Sequence, residues 1–144
     1  MFMSNTFKSL AVVVLCAVIT TGAQSLPANC SRTYTVQPED FCDKISAAQN
    51  ASTYQLATVN SGIIDPLCDN LFVGEVICLG IKGQDCDTVQ VVQTGDGCPA
   101  IASQAGISLA DLLTDNPNVN AACTNIYPGE VLCVAPVADP ATAV

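Results

Sequence analysis

Residues 86–134 read CDTVQVVQTGDGCPAIASQAGISLADLLTDNPNVNAACTNIYPGEVLCV, and residues 30–79 read CSRTYTVQPEDFCDKISAAQNASTYQLATVNSGIIDPLCDNLFVGEVICL. Laid on one another by cysteine, they give C-x11-C-x24-C-x9-C and C-x11-C-x25-C-x9-C. Two spacings are identical and the third differs by one residue, which marks an internal duplication. Other positions recur in the same register: Val36 with Val92, Asp40 with Asp96, Ile45 with Ile101, Ser52 with Ser108, Leu56 with Leu112 and Asn60 with Asn116. After a one-residue offset come Asn70 with Asn125, Gly74 with Gly129 and Glu75 with Glu130.

Local signals give each copy the same order of elements. Tyr34 and Val36 alternate with Thr33, Thr35 and Gln37 as a half-buried strand does, and Val76–Leu79 and Val131–Val134 follow a Gly-Glu turn as a second strand. Between the strands, Asp40 and Asp96 stand where a helix N-cap is expected. Cys42, Ile45 and Ala48, or Cys98, Ile101 and Ala102, follow them at helical spacing. A second helix is expected from Ser52 or Ser108, with Gln55 or Asp111 three residues on as in a capping box, to Asn60 or Asn116. The fold class is therefore α+β: two tandem β-α-α-β modules at residues 30–80 and 86–136, loosely coupled by a linker at residues 81–85.

Modules of about fifty residues bury too little surface to be stable on core packing alone, so the cysteines are expected to staple them. Of the nine, Cys16 lies in a leader-like segment: Lys8, an apolar run from Leu10 to Ile19, then the small residues Thr21, Gly22 and Ala23. Residues 1–23 read as a signal peptide. The apolar run falls short of the roughly 20 residues of a membrane span. The remaining eight, Cys30, Cys42, Cys68, Cys78, Cys86, Cys98, Cys123 and Cys133, are even in number, as full pairing requires. Four per module permit three pairings each; antiparallel strands favour first with fourth and second with third, and spacing leaves the choice open. A metal role is set aside, because C-x2-C spacings and histidine are both missing.

Without the leader only Arg32, Lys44 and Lys82 stand against thirteen acids, a surface unsuited to nucleic acid or anionic membranes. A neutral ligand suits it better, and no cofactor is expected. Residues 137–144 read as a flexible tail. Asn50 and Asn29 each open an N-x-S sequence for N-glycosylation, Asn50 at the turn between the helices.

The second copy resembles the lysin motif (LysM), a β-α-α-β module that binds N-acetylglucosamine polymers such as chitin. Thr94-Gly95-Asp96-Gly97-Cys98 with Ile101-Ala102 is similar to that family's opening. Leu109–Leu113, Asn116-Pro117 and Ile126–Val134 are similar to its close. The first copy departs from it at Pro38-Glu39-Asp40-Phe41 and at Ser61 after Asn60, while Tyr34-Thr35-Val36, Leu71, Gly74, Glu75 and Ile77 keep it. Cysteines at the second and third positions, with a leader, resemble the fungal LysM effectors. That resemblance implies a secreted protein of the apoplast or cell wall. It would capture chitin oligosaccharides, keeping them from host receptors or shielding hyphal walls from chitinases, and two molecules could share one ligand by self-association.

By residue-to-residue match, the resemblance places the ligand between the loop after the first strand and the loop after the second helix. In module 2 this means Gly95, Asp96, Gly97 and Pro99 with Asn116, Pro117, Asn118, Val119 and Asn120. In module 1 it means Pro38, Glu39, Asp40 and Phe41 with Asn60, Ser61, Gly62, Ile63, Ile64 and Asp65. Asp40 and Asp96 are read chiefly as caps, Asn60 and Asn116 equally as helix ends, and Phe41 as core or sugar platform. From loop composition, module 2 ranks as the better binder. No enzyme is expected: glycoside hydrolysis by two carboxylates is the version the composition permits, and modules this small lack a cleft deep enough to raise a carboxyl pKa. A structural or adhesive wall protein and a peptidoglycan binder are the other readings.

Overall fold

The computed structural model describes residues 25–135, so the expected leader and tail lie outside the described residues. The element order is β1 (Cys30–Thr35), α1 (Cys42–Gln49), α2 (Thr53–Val59), β2 (Val76–Ile81), then β3 (Val89–Val91), α3 (Cys98–Ala105), α4 (Leu109–Asp115) and β4 (Val131–Cys133). Strands β1 and β2 pair antiparallel, as do β3 and β4, giving two separate two-stranded sheets. Each half of the chain is thus a β-α-α-β unit.

Neither a two-stranded sheet nor a helix of seven or eight residues is stable alone. Each sheet is closed by its helices around an apolar centre: Val36, Ile45, Leu56, Ile64, Ile77 and Leu79 in the first unit, Val92, Ile101, Leu112, Val119, Leu132 and Val134 in the second. These six pairs occupy equivalent repeat positions, so one packing scheme serves twice. The cysteines join first to fourth and second to third: Cys30–Cys78, Cys42–Cys68, Cys86–Cys133 and Cys98–Cys123. The outer bond ties the N-terminal end of each unit, Cys30 in β1 or Cys86 just before β3, to its last strand. The inner bond ties the start of its first helix to the long loop before the last strand.

Helix ends follow the sequence in part. Ser52 and Ser108 cap α2 and α4 by accepting from the amides of Gln55 and Asp111, and Asp111 returns the bond to complete a capping box. Gln55 does not return it, because its amide reaches away to Leu79 and Asp85. Asp40 and Asp96 are not N-caps: Phe41 and Gly97 hold those positions, without a side-chain cap. In α1 the buried residues are Ile45 and Ser46 while Ala48 is exposed, so Ser46 takes the place of Ala102.

Strand β2 runs on through Gly80 and Ile81 and pairs them with Arg32 and Cys30, shortening the expected linker. The connection is also pinned. Asp85 accepts from Arg32 Nε and Nη2, each at 2.8 Å, from Gln55 Nε2 at 2.8 Å and from the Ser31 hydroxyl. Gln55 Oε1 in turn accepts from the Cys86 amide at 2.8 Å. The Arg32 guanidinium bonds chiefly account for an Asp85 pKa of about 2. Gly80 has no side chain because none fits: a Cβ there would meet the Asp85 carboxylate at 2.2 Å. The equivalent position in the second unit is Ala135. On the opposite side Thr53 Oγ1 accepts from the Val131 amide at 2.9 Å, so the helices of the first unit receive the last strand of the second.

Candidate functional site

The loop between β1 and α1 is a tight turn, Gln37–Asp40, matched by Gln93–Asp96 in the second unit. In both, the aspartate carboxylate accepts from the amide three residues back, at 2.8 Å. Tyr34 donates a further bond to Asp40 at 2.8 Å, and Lys44 lies 3.5 Å from its other oxygen. The Gln37 amide, then the Tyr34 hydroxyl and the Lys44 charge, hold the Asp40 carboxyl below its ordinary range. The turn needs a left-handed residue at its third position, which is Gly95 (φ 90°) in the second unit and Glu39 (φ 67°) in the first. The departure of Pro38-Glu39 from the glycine pattern therefore leaves the turn's shape unchanged, with strain at Glu39.

The loop after the second helix is built around a buried asparagine. Asn60 donates to the carbonyls of Leu56 and Cys78 and accepts from the Cys78 amide; Asn116 does the same with Leu112 and Cys133. Both are 1% exposed or less, so their side-chain amides are consumed inside the fold. Their side chains thus act as a latch beneath the loop. Ile64 and Val119 are likewise in the core with 5% and 7% exposure. Beyond them the loop closes on itself: the Asp65 and Asn120 amides donate to Asn70 and Asn125, and the Asn118 side chain donates to Glu130 at 2.7 Å. Burial keeps the Glu130 carboxyl above its ordinary range despite that bond.

In the first unit the two loops face one another across the Cys42–Cys68 bond and leave a groove of about 190 Å³. Of the expected residues, Phe41, Ile64 and Asp65 line it, and Phe41 is 55% exposed. Pro38, Glu39 and Asp40 form the turn leading into Phe41 and are not among the lining residues. Ser61, Gly62 and Ile63 border a more open depression shared with Asn70. In the second unit Gly97 and Pro99 start α3, and Pro99, Pro117, Asn118 and Asn120 are exposed along the equivalent rim. The groove also contains residues that sequence reasoning did not single out: Thr53 and Ala57 from α2, Pro66 and Leu67 from the loop, and Tyr127 from the second unit.

A family model described as LysM domain matches residues 34–80 and 91–135. The chain belongs to the LysM domain family. Among curated relatives, the non-secreted LysM effector LCP1 of Gibberella moniliformis is 37% identical over 77% of this chain and 15% of its own length. The secreted LysM effector Blys8 of Beauveria bassiana is 30% identical over 74% of this chain and 34% of its own. This chain therefore spans about a third or less of those relatives. Among solved structures, the LysM domain of chitinase A from Equisetum arvense is 40% identical over 35% of this chain and 98% of that one, with a TM-score of 0.32.

The two LysM modules differ in what borders the groove. Asp43 and Thr53 of the first correspond to Pro99 and Leu109 of the second, so a polar pair faces an apolar one at equivalent places. The Thr53 hydroxyl donates to Asp43 at 2.8 Å, and the Tyr127 hydroxyl donates to the same carboxylate at 3.2 Å. Burial, the Asp43 charge and this bond push the Tyr127 pKa well above its ordinary value, so the hydroxyl stays a donor. A signal for Tyr127 was present in the repeat, where Phe72 is its aromatic counterpart.

Proposed function

We propose that this protein is a secreted, non-catalytic binder of chitin or its N-acetylglucosamine oligomers, acting as an effector that sequesters chitin fragments or covers hyphal walls. The observation that carries this reading is the groove of the first LysM module. It is clasped by a disulfide and has apolar walls from Phe41, Ile64, Pro66 and Leu67. A sugar chain presents flat apolar ring faces between polar groups, and a shallow apolar groove with polar loop edges is its complement. The full chain's formal charge of −9 suits a ligand without charge.

The sites are Phe41, Ile64 and Asp65 with the supporting turn Pro38–Asp40, and in the second module the rim of Gly95, Asp96, Gly97, Pro99, Pro117, Asn118 and Asn120. The first groove is proposed as the stronger, reversing the ranking from loop composition, because Glu39 takes the same left-handed turn as Gly95 and the first groove gains a wall from Tyr127. Titration calorimetry with chitin oligomers of increasing length is expected to show affinity that rises with length and changes little with salt, since a neutral ligand releases no condensed counterions. Side-by-side capture on insoluble chitin, cellulose, xylan and peptidoglycan sets chitin against peptidoglycan. An absence of heat and of capture with every chitin form would refute the reading.

A further inference from the structure

We propose that Tyr127 is a ligand-contacting residue of the first module's groove, so that the sugar site of one LysM module is completed by an aromatic ring from the other. This rests on the chitin reading above. Tyr127 belongs by sequence to the second module, in the turn before β4, yet it lines the first groove together with Phe41 and Leu67. It remains 44% exposed, so its packing against the first module leaves much of it open to a ligand.

Its position is held by a chain of linked bonds. The hydroxyl donates to Asp43, Asp43 accepts also from Thr53, and Thr53 Oγ1 accepts from the amide of Val131, which opens β4 just after the turn that carries the ring. A tyrosine so held presents a flat apolar face with few rotors left to freeze, which lowers the entropic penalty of ligand contact. Phe41 and Tyr127, both more than two-fifths exposed, thus supply two aromatic surfaces to one groove that loop residues of a single module would line with one. The arrangement is specific to the first groove, because Pro99 and Leu109 stand where Asp43 and Thr53 would be needed to anchor such a ring on the second.

A purely structural role, as a bond between modules, predicts equal loss in two substitutions that the ligand role separates. In the full chain, Tyr127→Phe removes the Asp43 bond and keeps the ring, whereas Tyr127→Ala removes both. The ligand role predicts that Tyr127→Phe binds chitin hexamer within about twofold of the parent, and that Tyr127→Ala binds roughly tenfold more weakly, the loss of one aromatic contact. Equal loss in both variants, or parental affinity in a folded Tyr127→Ala, would overturn the proposal while leaving the chitin reading intact. Failure of the unsubstituted protein to bind would overturn both. In the unsubstituted protein, NMR cross-relaxation between Tyr127 ring protons and sugar protons is expected, and its absence from a saturated complex counts against the ring even where Tyr127→Ala does not fold.

Discussion

Asp85 offers the sharpest test of how the modules are joined. Replacing it with asparagine preserves shape and removes the charge that Arg32 pairs with at 2.8 Å. The carboxyl pKa is about 2 against an ordinary 3.8, chiefly because Arg32 donates to it, with Ser31 and Gln55 adding to the effect and burial opposing it. That lowering corresponds to roughly 2 kcal/mol of preference for the charged, folded form. The Arg32 side chain keeps 31% of its exposure, so solvent screens part of this and about 1–2 kcal/mol remains.

An acid whose folded pKa lies below its unfolded value stabilises the fold above the unfolded pKa, and that contribution disappears as pH falls through the folded one. For Asp85 the window runs from about pH 4 down to about pH 2. Urea unfolding with disulfides intact, followed by circular dichroism, should find Asp85→Asn less stable by about 1–2 kcal/mol at neutral pH, with a shallower loss of stability across that window. Equal stability at neutral pH together with an unchanged acid limb would refute the argument.

Asn116→Ala should destabilise the second module by about 2–4 kcal/mol in the same assay, since it orphans the buried amide and carbonyl of Cys133 that the side chain satisfies. Glu39→Gly should stabilise the first module by roughly 0.5 kcal/mol, as relief of a left-handed side chain outweighs the added freedom of the unfolded chain. Thiol titration of the oxidised protein without the leader should find no free thiol. Reduction should unfold both modules, because each small core depends on two disulfides worth about 2–4 kcal/mol apiece. Expression in a eukaryotic secretory host should attach glycan at Asn50, which is exposed at the end of α1; a mass unchanged by Asn50→Gln would rule that site out.

The repeat of the cysteines made the fold readable, because equal spacing implies equal architecture, and the helix starts at Ser52 and Ser108 followed from local capping chemistry. Asp40 and Asp96 misled because an aspartate near a helix start has several amides within reach. Here each turns back to the amide of Gln37 or Gln93. Asn60 and Asn116 misled in another way: a polar side chain in a loop reads as available, but the fold buries these two to satisfy strand backbone that the loop would otherwise orphan. The contacts of Tyr127 and Thr53 were illegible because their partners lie 84 and 78 residues away, in the other module, and neither periodicity nor spacing reports contacts between repeats.

Those contacts explain why a duplicated chain carries unlike halves. A duplication begins with equivalent surfaces, yet the helix side of the first module is covered by β4 of the second, and the residues at the equivalent places of the second module differ. Where the first must accept a neighbour it has Thr53, Asp43 and a side-chain-free Gly80 that admits Asp85; the second has Leu109, Pro99 and Ala135 at the same places. Gly80 is informative because its φ is not in the left-handed region, so its lack of a Cβ serves packing: the nearest atoms belong to Asp85 of the connection and to Gln55 of α2, which binds it. Differences between the repeats therefore record the interface, and identities between them record the fold. The same logic extends to the groove, where the Asp43 and Thr53 that receive the second module also anchor the ring that borders the first module's groove.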